Sequence, residues 1–93
     1  MRVIGYIEHP IFKISIFKND GRTSVKFENE LYEQTFKLGN DERFATVEGI
    51  QQWASPALLE KITDGFRLMH SANLAAREEA FPTDSDHAFE DII

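Results

Sequence analysis

Residues 11–28 read IFKISIFKNDGRTSVKFE, and this stretch decides the fold of the chain. Apolar and polar residues alternate on both sides of Asp20-Gly21, a dipeptide that is typical of a tight β-hairpin turn between such runs. A two-residue loop at this point places Ile14 opposite Phe27, so that apolar side chains meet across the strands. A shift of one residue would move every side chain to the other face. The stretch therefore predicts an antiparallel hairpin of fixed register.

Two further turns, at residues 9–10 and 29–30, extend the hairpin into a meander. The four predicted strands span residues 2–8, 11–19, 22–28 and 31–38. The predicted cross-strand neighbours are Ile7 and Phe12, Gly5 and Ile14, Lys13 and Glu28, Phe27 and Tyr32, Thr23 and Phe36, and Lys26 and Glu33. The two opposite-charge pairs among them would be favourable neighbours on a solvated face.

Alternation along the strands divides the sheet into two faces. The predicted inner face consists of Val3, Gly5, Ile7, Phe12, Ile14, Ile16, Val25, Phe27, Tyr32, Phe36 and Leu38. Gln34 interrupts it. We expect this amide to be buried and bonded to backbone or to a covering helix, with contact to a ligand as the alternative. The predicted outer face consists of Arg2, Ile4, Tyr6, Glu8, Lys13, Ser15, Phe17, Arg22, Ser24, Lys26, Glu28, Leu31, Glu33, Thr35 and Lys37.

Two helices follow the sheet. Thr46 is a suitable N-cap for a short helix over 47–54, and Ser55-Pro56 begins a long helix over 56–80, with proline at the first helical position. Apolar residues at spacings of three and four indicate the face of the long helix that packs on the sheet: Leu58, Leu59, Ile62, Phe66 and Met69. The sequence thus predicts an α+β fold, a four-stranded antiparallel β-meander with a short helix and a long C-terminal helix packed on one face.

The chain divides into a single α+β domain over residues 1–82 and an acidic and apolar tail over 83–93. The long helix would span about 37 Å at ~1.5 Å per residue, whereas ~3.3 Å per residue gives a sheet only about 25 Å long. Its second half therefore overhangs or turns back, and small residues on one side would let another helix approach. The sequence predicts a homodimer through Gly65, Ala72, Leu74, Ala76 and Phe81. The alternative is that alanine occurs there only because it is the best helix former.

Composition sets limits on the class of protein. The chain has 93 residues and no cysteine, which excludes a disulfide framework and thiolate metal sites. Its first residues lack the features of a signal peptide, and no apolar run is long enough for a membrane span, so we expect a cytoplasmic protein. The formal charge is −6. All of this net charge lies in residues 78–93, because residues 1–77 hold ten basic and ten acidic residues.

The sequence offers no arrangement of residues that predicts catalysis. It contains no zinc-protease helix motif, no nucleophile elbow and no glycine-rich phosphate loop. We expect His70, beside the apolar stripe of the long helix, to be partly buried and hydrogen-bonded rather than a ligand. The run 84–87 offers oxygen and imidazole donors, but four adjacent residues cannot preorganise a site. The prediction is therefore a protein that is not an enzyme and has no cofactor or metal site.

The outer face of the sheet is the candidate binding surface, through Tyr6, Lys13, Phe17, Lys26 and Lys37. Aromatic side chains among bases suit single-stranded nucleic acid, whose bases stack and whose phosphates need neutralising. The order of elements also resembles that of the Whirly proteins and of a single-strand-binding transcriptional coactivator, which dimerise through helices and bind single strands on their sheets. This resemblance is in layout and assigns no residue. We favour a protein interface, because the balanced charge of residues 1–77 gives little attraction to nucleic acid.

The tail provides a second candidate contact. Phe89, Ile92 and Ile93 recur at helical spacing among acidic residues, a pattern that suits docking to an unknown protein partner. The alternatives are a disordered solubilising tail and a segment that folds back on its own domain. Taken together, these observations predict a small non-catalytic interaction module that dimerises, with single-stranded nucleic-acid binding as the alternative function.

Overall fold

The computed structural model describes residues 1–82 and confirms the predicted α+β fold. Its elements are β1 (Arg2–Ile7), β2 (Lys13–Asn19), β3 (Arg22–Glu28), β4 (Glu33–Gly39), a 3-10 turn (Glu42–Phe44), α1 (Val47–Trp53) and α2 (Pro56–Ala80). The strands form one antiparallel sheet in the order β1-β2-β3-β4. The predicted tail over 83–93 lies outside the described residues. Within residues 1–82, no helix combines the length and the apolarity needed to cross a membrane.

The β2–β3 hairpin has the predicted register. Ile14 pairs with Phe27, and every other residue of the two strands pairs as a two-residue loop requires. The loop residues Asp20 and Gly21 have φ angles of 53° and 75°. This left-handed backbone at both central positions matches the twist of the strands, and an Asp-Gly pair tolerates it. Local turn chemistry and the apolar pattern agree here, which is why the prediction is correct.

The predicted β3–β4 register is wrong by two residues. Phe27 lies opposite Gln34 rather than Tyr32. The side-chain oxygen of Asn29 accepts hydrogen bonds from the backbone N–H groups of Leu31 and Tyr32, at 2.9 and 2.8 Å. This Asx-type loop keeps residues 29–32 out of the strands, so a four-residue loop replaces the predicted two-residue turn. The same shift removes two other predicted pairs, Thr23 with Phe36 and Lys26 with Glu33.

The β1–β2 register also differs from the prediction. Ile7 lies opposite Ile14, not Phe12, and Gly5 lies opposite Ile16, not Ile14. His9 accounts for the longer loop, because its Nδ1 accepts hydrogen bonds from the backbone N–H groups of the two residues after Pro10, both at 3.1 Å.

The predicted faces are wrong at the start of β1, because a β-bulge lies between Val3 and Gly5. Val3, predicted to be inside, pairs with the outer-face residue Phe17 and is 42% exposed. Ile4, predicted to be outside, is partly buried and packs against the core. A bulge adds one residue to one strand, so the alternation is reversed beyond it.

Both helices cover the inner face of the sheet. The buried core comprises Phe12, Ile14, Ile16, Val25, Phe27, Ile50, Ala54, Ile62 and Phe66. Thr46 and Ser55 cap the helices as predicted, accepting hydrogen bonds from the backbone N–H groups of Gly49 and Leu58 at 3.1 and 3.2 Å. The ring of Trp53 lies 5.3–5.9 Å, centroid to centroid, from three phenylalanine rings, and so joins α1 to the sheet.

The 3-10 turn before α1 is absent from the sequence prediction, and Asp41 begins it. The Asp41 carboxylate accepts hydrogen bonds from the Arg43 backbone N–H at 2.9 Å and from Arg43 Nη2 at 2.6 Å. The side-chain hydrogen bonds from Arg43 lower the pKa of Asp41 to about 2. Because the pKa is lowered in the folded state, this contribution to stability is present above the unfolded value of about 3.9 and is lost as the pH falls towards 2.

Gln34 is bonded to the covering helix, as its position suggested, but it is partly rather than fully buried. Its Nε2 donates to the carbonyl oxygen of Ile62 in α2 at 2.9 Å. Gly65, one helical turn later, makes room for this amide, since a Cβ at residue 65 would lie 2.8 Å from Gln34 Nε2. A glycine inside a helix is unfavourable by about 1 kcal/mol relative to alanine. Its occurrence here is explained by the close approach of α2 to the sheet.

Candidate interaction surfaces

The outer face of the sheet brings the five predicted candidate residues into two adjacent clusters. Tyr6 and Lys26 flank Ser15 across three strands, and Ser15 is buried although it lies on the outer face. Phe17 and Lys37 flank Ser24 in the next outer row. Lys13 begins β2 and is exposed.

Two lysines on this face lie over aromatic rings. Lys13 Nζ is 5.8 Å from the ring centroid of Tyr6, and Lys26 Nζ is 5.4 Å from that of Phe17. Each contact is within the range of a cation–π interaction. The Tyr6 side chain is nevertheless 59% exposed. The pairs therefore hold the aromatic side chains in place and leave Tyr6 available to a partner.

The ion pairs on the outer face differ from those predicted. Glu28 forms its ion pair with Lys26, two residues earlier on the same strand, at 3.5 Å. Glu28 also lies opposite Glu33, because the β3–β4 register is shifted by two residues. Lys13 remains the cross-strand neighbour of Glu28 but reaches over Tyr6. The charge of Lys26 is thus largely neutralised within the sheet.

The predicted dimer interface divides into residues with different roles. Gly65 lies against Gln34 of the same chain, which leaves no room there for a second helix. Ala72 and Ala76 are exposed, Leu74 is partly buried, and Phe81 is 60% exposed. Four of the five candidates therefore lie together on the last turns of α2 and the residue that follows it.

Five large exposed apolar side chains were not among the predicted site residues: Met1, Val3, Ile11, Leu31 and Leu68. Leu68 projects from α2 and is 72% exposed, while Ile11 and Leu31 lie on two loops at one end of the sheet. Ile11 and Leu31 line a surface pocket with Asn29 and Glu30. The exposure of Leu68 could have been predicted from the sequence, since this residue falls outside the apolar stripe of the helix. The exposure of Ile11 was not predicted, because the residue was assigned to a strand rather than to a loop.

A polar network joins the long helix to the end of the sheet. The Tyr32 hydroxyl lies 3.0 Å from His70 Nδ1 and accepts a hydrogen bond from Asn73 Nδ2 at 3.0 Å. Asn73 Oδ1 in turn accepts a hydrogen bond from Arg77 Nε at 3.2 Å. His70 is thus partly buried and hydrogen-bonded, as predicted from its position beside the apolar stripe.

Neither grouped metal-ligating side chains nor similarity to known proteins assigns a function to the described residues. Within residues 1–82, no three His, Cys, Asp or Glu side chains are grouped so as to hold a metal ion. No significant match to the chain was found among protein-family models, curated proteins or solved structures.

Proposed function

We propose that this protein is a non-catalytic interaction module that forms a homodimer through the end of α2. The observation that carries the proposal is the length of this helix relative to the sheet. Tyr32 ties α2 to the end of the sheet through His70 and Asn73, and the helix then continues to Ala80. Seven further residues add about 10 Å at ~1.5 Å per residue. We call residues 74–81 the overhang.

The surface of the overhang and the preceding turn suits a second helix. Ala72, Ala75 and Ala76 are exposed, and such small side chains allow close approach of two helix backbones. Leu68 and Phe81 add large exposed apolar groups at either end of this stretch. Contiguous exposed apolar surface of this kind marks interaction sites. An antiparallel pair of overhangs gives the twofold-symmetric contact that is commonest in homodimers.

The proposed role is non-catalytic because three titratable side chains within residues 1–82 that a catalytic site could have used have structural partners. His70 is bonded to Tyr32, and Asp41 is bonded to Arg43. His9 accepts two backbone hydrogen bonds within its own loop. These contacts account for the side chains without recourse to a substrate.

Single-stranded nucleic-acid binding on the outer face is a second candidate function. The exposure of Tyr6 beside Lys13 favours it, since an exposed ring next to a cation can stack a base and attract a phosphate. The neutralisation of Lys26 by Glu28 counts against it. A dimeric protein module is the function that the surfaces support better.

Replacing Ala72 with glutamate tests the proposed dimer. We expect Ala72→Glu to raise the dimer dissociation constant at least tenfold, about 1.4 kcal/mol, because it buries an unpaired charge between two helices. Sedimentation equilibrium of the variant and the wild type measures the change. Ala57→Glu is the matched control, since Ala57 is an exposed alanine in the first turn of α2, far from the overhang. Equal association of Ala72→Glu and wild type would contradict the proposed interface.

A further inference from the structure

The outer face of the sheet has a depression at the end where the β2–β3 turn lies. The Thr23 hydroxyl donates to the carbonyl oxygen of Phe44 on the inner side of the sheet, so Arg22 and Ser24, its neighbours in β3, project to the outer face. Lys37 lies directly opposite Ser24 and shares that face. The depression has a volume of about 410 Å³ and brings together side chains of three neighbouring strands: Asn19, Arg22, Ser24 and Lys37. Small-molecule sites have volumes of about 300–1,000 Å³.

A β-bulge in β4 borders this depression. Lys37 and Gly39 pair with consecutive residues of β3, which leaves Leu38 as an extra residue in β4. Gly39 has a φ of 74°, which glycine adopts without the steric cost of a side chain. A bulge bends its strand and re-aims the neighbouring side chains, and bulges are frequent beside functional sites. The bulge thus shapes the edge of the sheet where Lys37 faces Arg22.

Two cations meet in the depression without a partner among residues 1–82. Arg22 and Lys37 are diagonal neighbours on adjacent strands, a position that separates two side chains by about 7–8 Å at their bases. Neither takes part in an ion pair within residues 1–82. Asp20, in the adjoining turn, is exposed and forms no ion pair with either of them. A bound anion would relieve the repulsion between the two cations.

The charge and the donors in the depression favour a phosphate monoester. The guanidinium of Arg22 is a planar fork that binds two oxygens at once, and Lys37 adds a point charge. The hydroxyl of Ser24 and the side-chain amide of Asn19 can each donate a further hydrogen bond. A phosphate monoester has three acceptor oxygens and a charge of about −1.5 to −2 at neutral pH. It therefore balances both cations, whereas a carboxylate balances only one.

The rest of the outer face disfavours a long polyanion. Glu28 and Glu33 lie opposite each other on this face, and Glu28 is about 13 Å from Ser24 along β3 at ~3.3 Å per residue. Between them, Lys26 is already paired with Glu28 at 3.5 Å. A nucleic-acid strand that followed the sheet would meet these carboxylates. A single phosphate group does not extend that far.

We propose that this depression binds a small molecule through a phosphate monoester group. Arg22 and Lys37 neutralise the phosphate, and Ser24 and Asn19 donate to its remaining oxygens. Phe17 lies opposite Ser24 on the other side from Lys37 and is partly exposed, so it offers an apolar surface to the rest of the ligand. The inference goes beyond the proposed dimer, because no residue of the overhang takes part in it.

Phenyl phosphate and phenyl sulfate are matched probes for this site. They have the same ring and the same number of terminal oxygens, but the sulfate ester has only one negative charge. Amide chemical shifts of the isotope-labelled full-length protein, titrated at constant ionic strength and neutral pH, report binding. We expect saturable millimolar binding of phenyl phosphate, with shifts centred on Asn19, Ser24 and Gly39. Phenyl sulfate should bind about fivefold more weakly.

Substitution of the two cations tests their role. Arg22→Gln with Lys37→Gln should weaken the binding of phenyl phosphate about tenfold or more, and both side chains are exposed, so the fold is retained. Lys13→Gln with Lys61→Gln is the matched control, since it removes the same charge from exposed positions outside the depression. This control should bind like wild type. Arg22→Lys keeps the charge but loses the planar fork, and should bind about threefold more weakly.

Four results would overturn the inference. Shifts that do not saturate, or equal losses for the two pairs of substitutions, would mean that the general surface charge attracts the anion. Equal affinity for phenyl phosphate and phenyl sulfate would exclude a site for a dianion. Tighter binding of oligo-dT or of phosphatidic acid vesicles, lost with Arg22→Gln and Lys37→Gln, would assign the two cations to a nucleic acid or a lipid surface. The dimer is tested separately, because this variant should sediment like wild type whether or not the site exists.

Discussion

Phe27→Ala is expected to lower the free energy of unfolding by about 3–5 kcal/mol. Phe27 is fully buried on the inner face of β3. Its ring contacts those of Phe36 and Trp53 at 5.8 and 5.9 Å between centroids, so it joins two strands to α1. Truncation removes these contacts and leaves a cavity that a tightly packed core cannot fill. Urea denaturation followed by circular dichroism measures the loss.

Phe17→Ala is the matched control for this prediction. Phe17 occupies the adjacent strand but projects to the outer face, where it is partly exposed and contacts Lys26. The same change of side chain should therefore cost about 1 kcal/mol, since less apolar area leaves water. A loss below about 1 kcal/mol for Phe27→Ala, or equal losses for both variants, would mean that the β2–β3 register is wrong.

Gly49→Ala is expected to lower the free energy of unfolding by about 2–3 kcal/mol, opposite to the usual effect in a helix. Alanine normally stabilises a helix by about 1 kcal/mol relative to glycine. In α1, however, a Cβ at residue 49 would overlap the backbone carbonyl of Arg43 in the preceding 3-10 turn. Because this carbonyl belongs to the backbone, the whole turn must move to accommodate the methyl group.

Gln51→Ala provides the comparison in the same helix. Gln51 is exposed in α1, so its replacement by alanine should leave stability unchanged or raise it slightly. Thermal and urea denaturation of both variants give the two free energies. If Gly49→Ala were as stable as wild type, the packing of the 3-10 turn against α1 would not be as described.

The parts of the fold that sequence reasoning predicts correctly are those where two signals agree. At Asp20-Gly21, turn chemistry and apolar pairing require the same register. At Thr46 and Ser55, a capping residue precedes an amphipathic run. The two helices and the order of the strands follow from these signals, because each depends on residues that are close in sequence.

The parts that the sequence does not predict depend on single side chains that reshape a loop or a strand. Asn29 and His9 bond to backbone N–H groups beyond the predicted turns and lengthen both loops. The bulge in β1 exchanges the faces of Val3 and Ile4. Because both residues are apolar and similar in size, the hydrophobic pattern of the sequence fits either arrangement. Each of these errors shifts the register by one or two residues without changing the topology.

The candidate surfaces were affected by these errors to different degrees. Tyr6 and Phe17 lie on the outer face as predicted, but the predicted partner of Lys26 changed from Glu33 to Glu28. Gly65 was assigned to the dimer interface because its contact with Gln34 is a tertiary one.

The molecular mass of the full-length protein in solution tests the central claim most directly. Sedimentation equilibrium from low to high micromolar concentration should show a reversible transition to twice the mass of one chain. Added salt should have little effect on this association, since the overhang contact is apolar and salt screens charges. A mass of one chain throughout the concentration range would contradict the proposal that this protein is a dimeric interaction module.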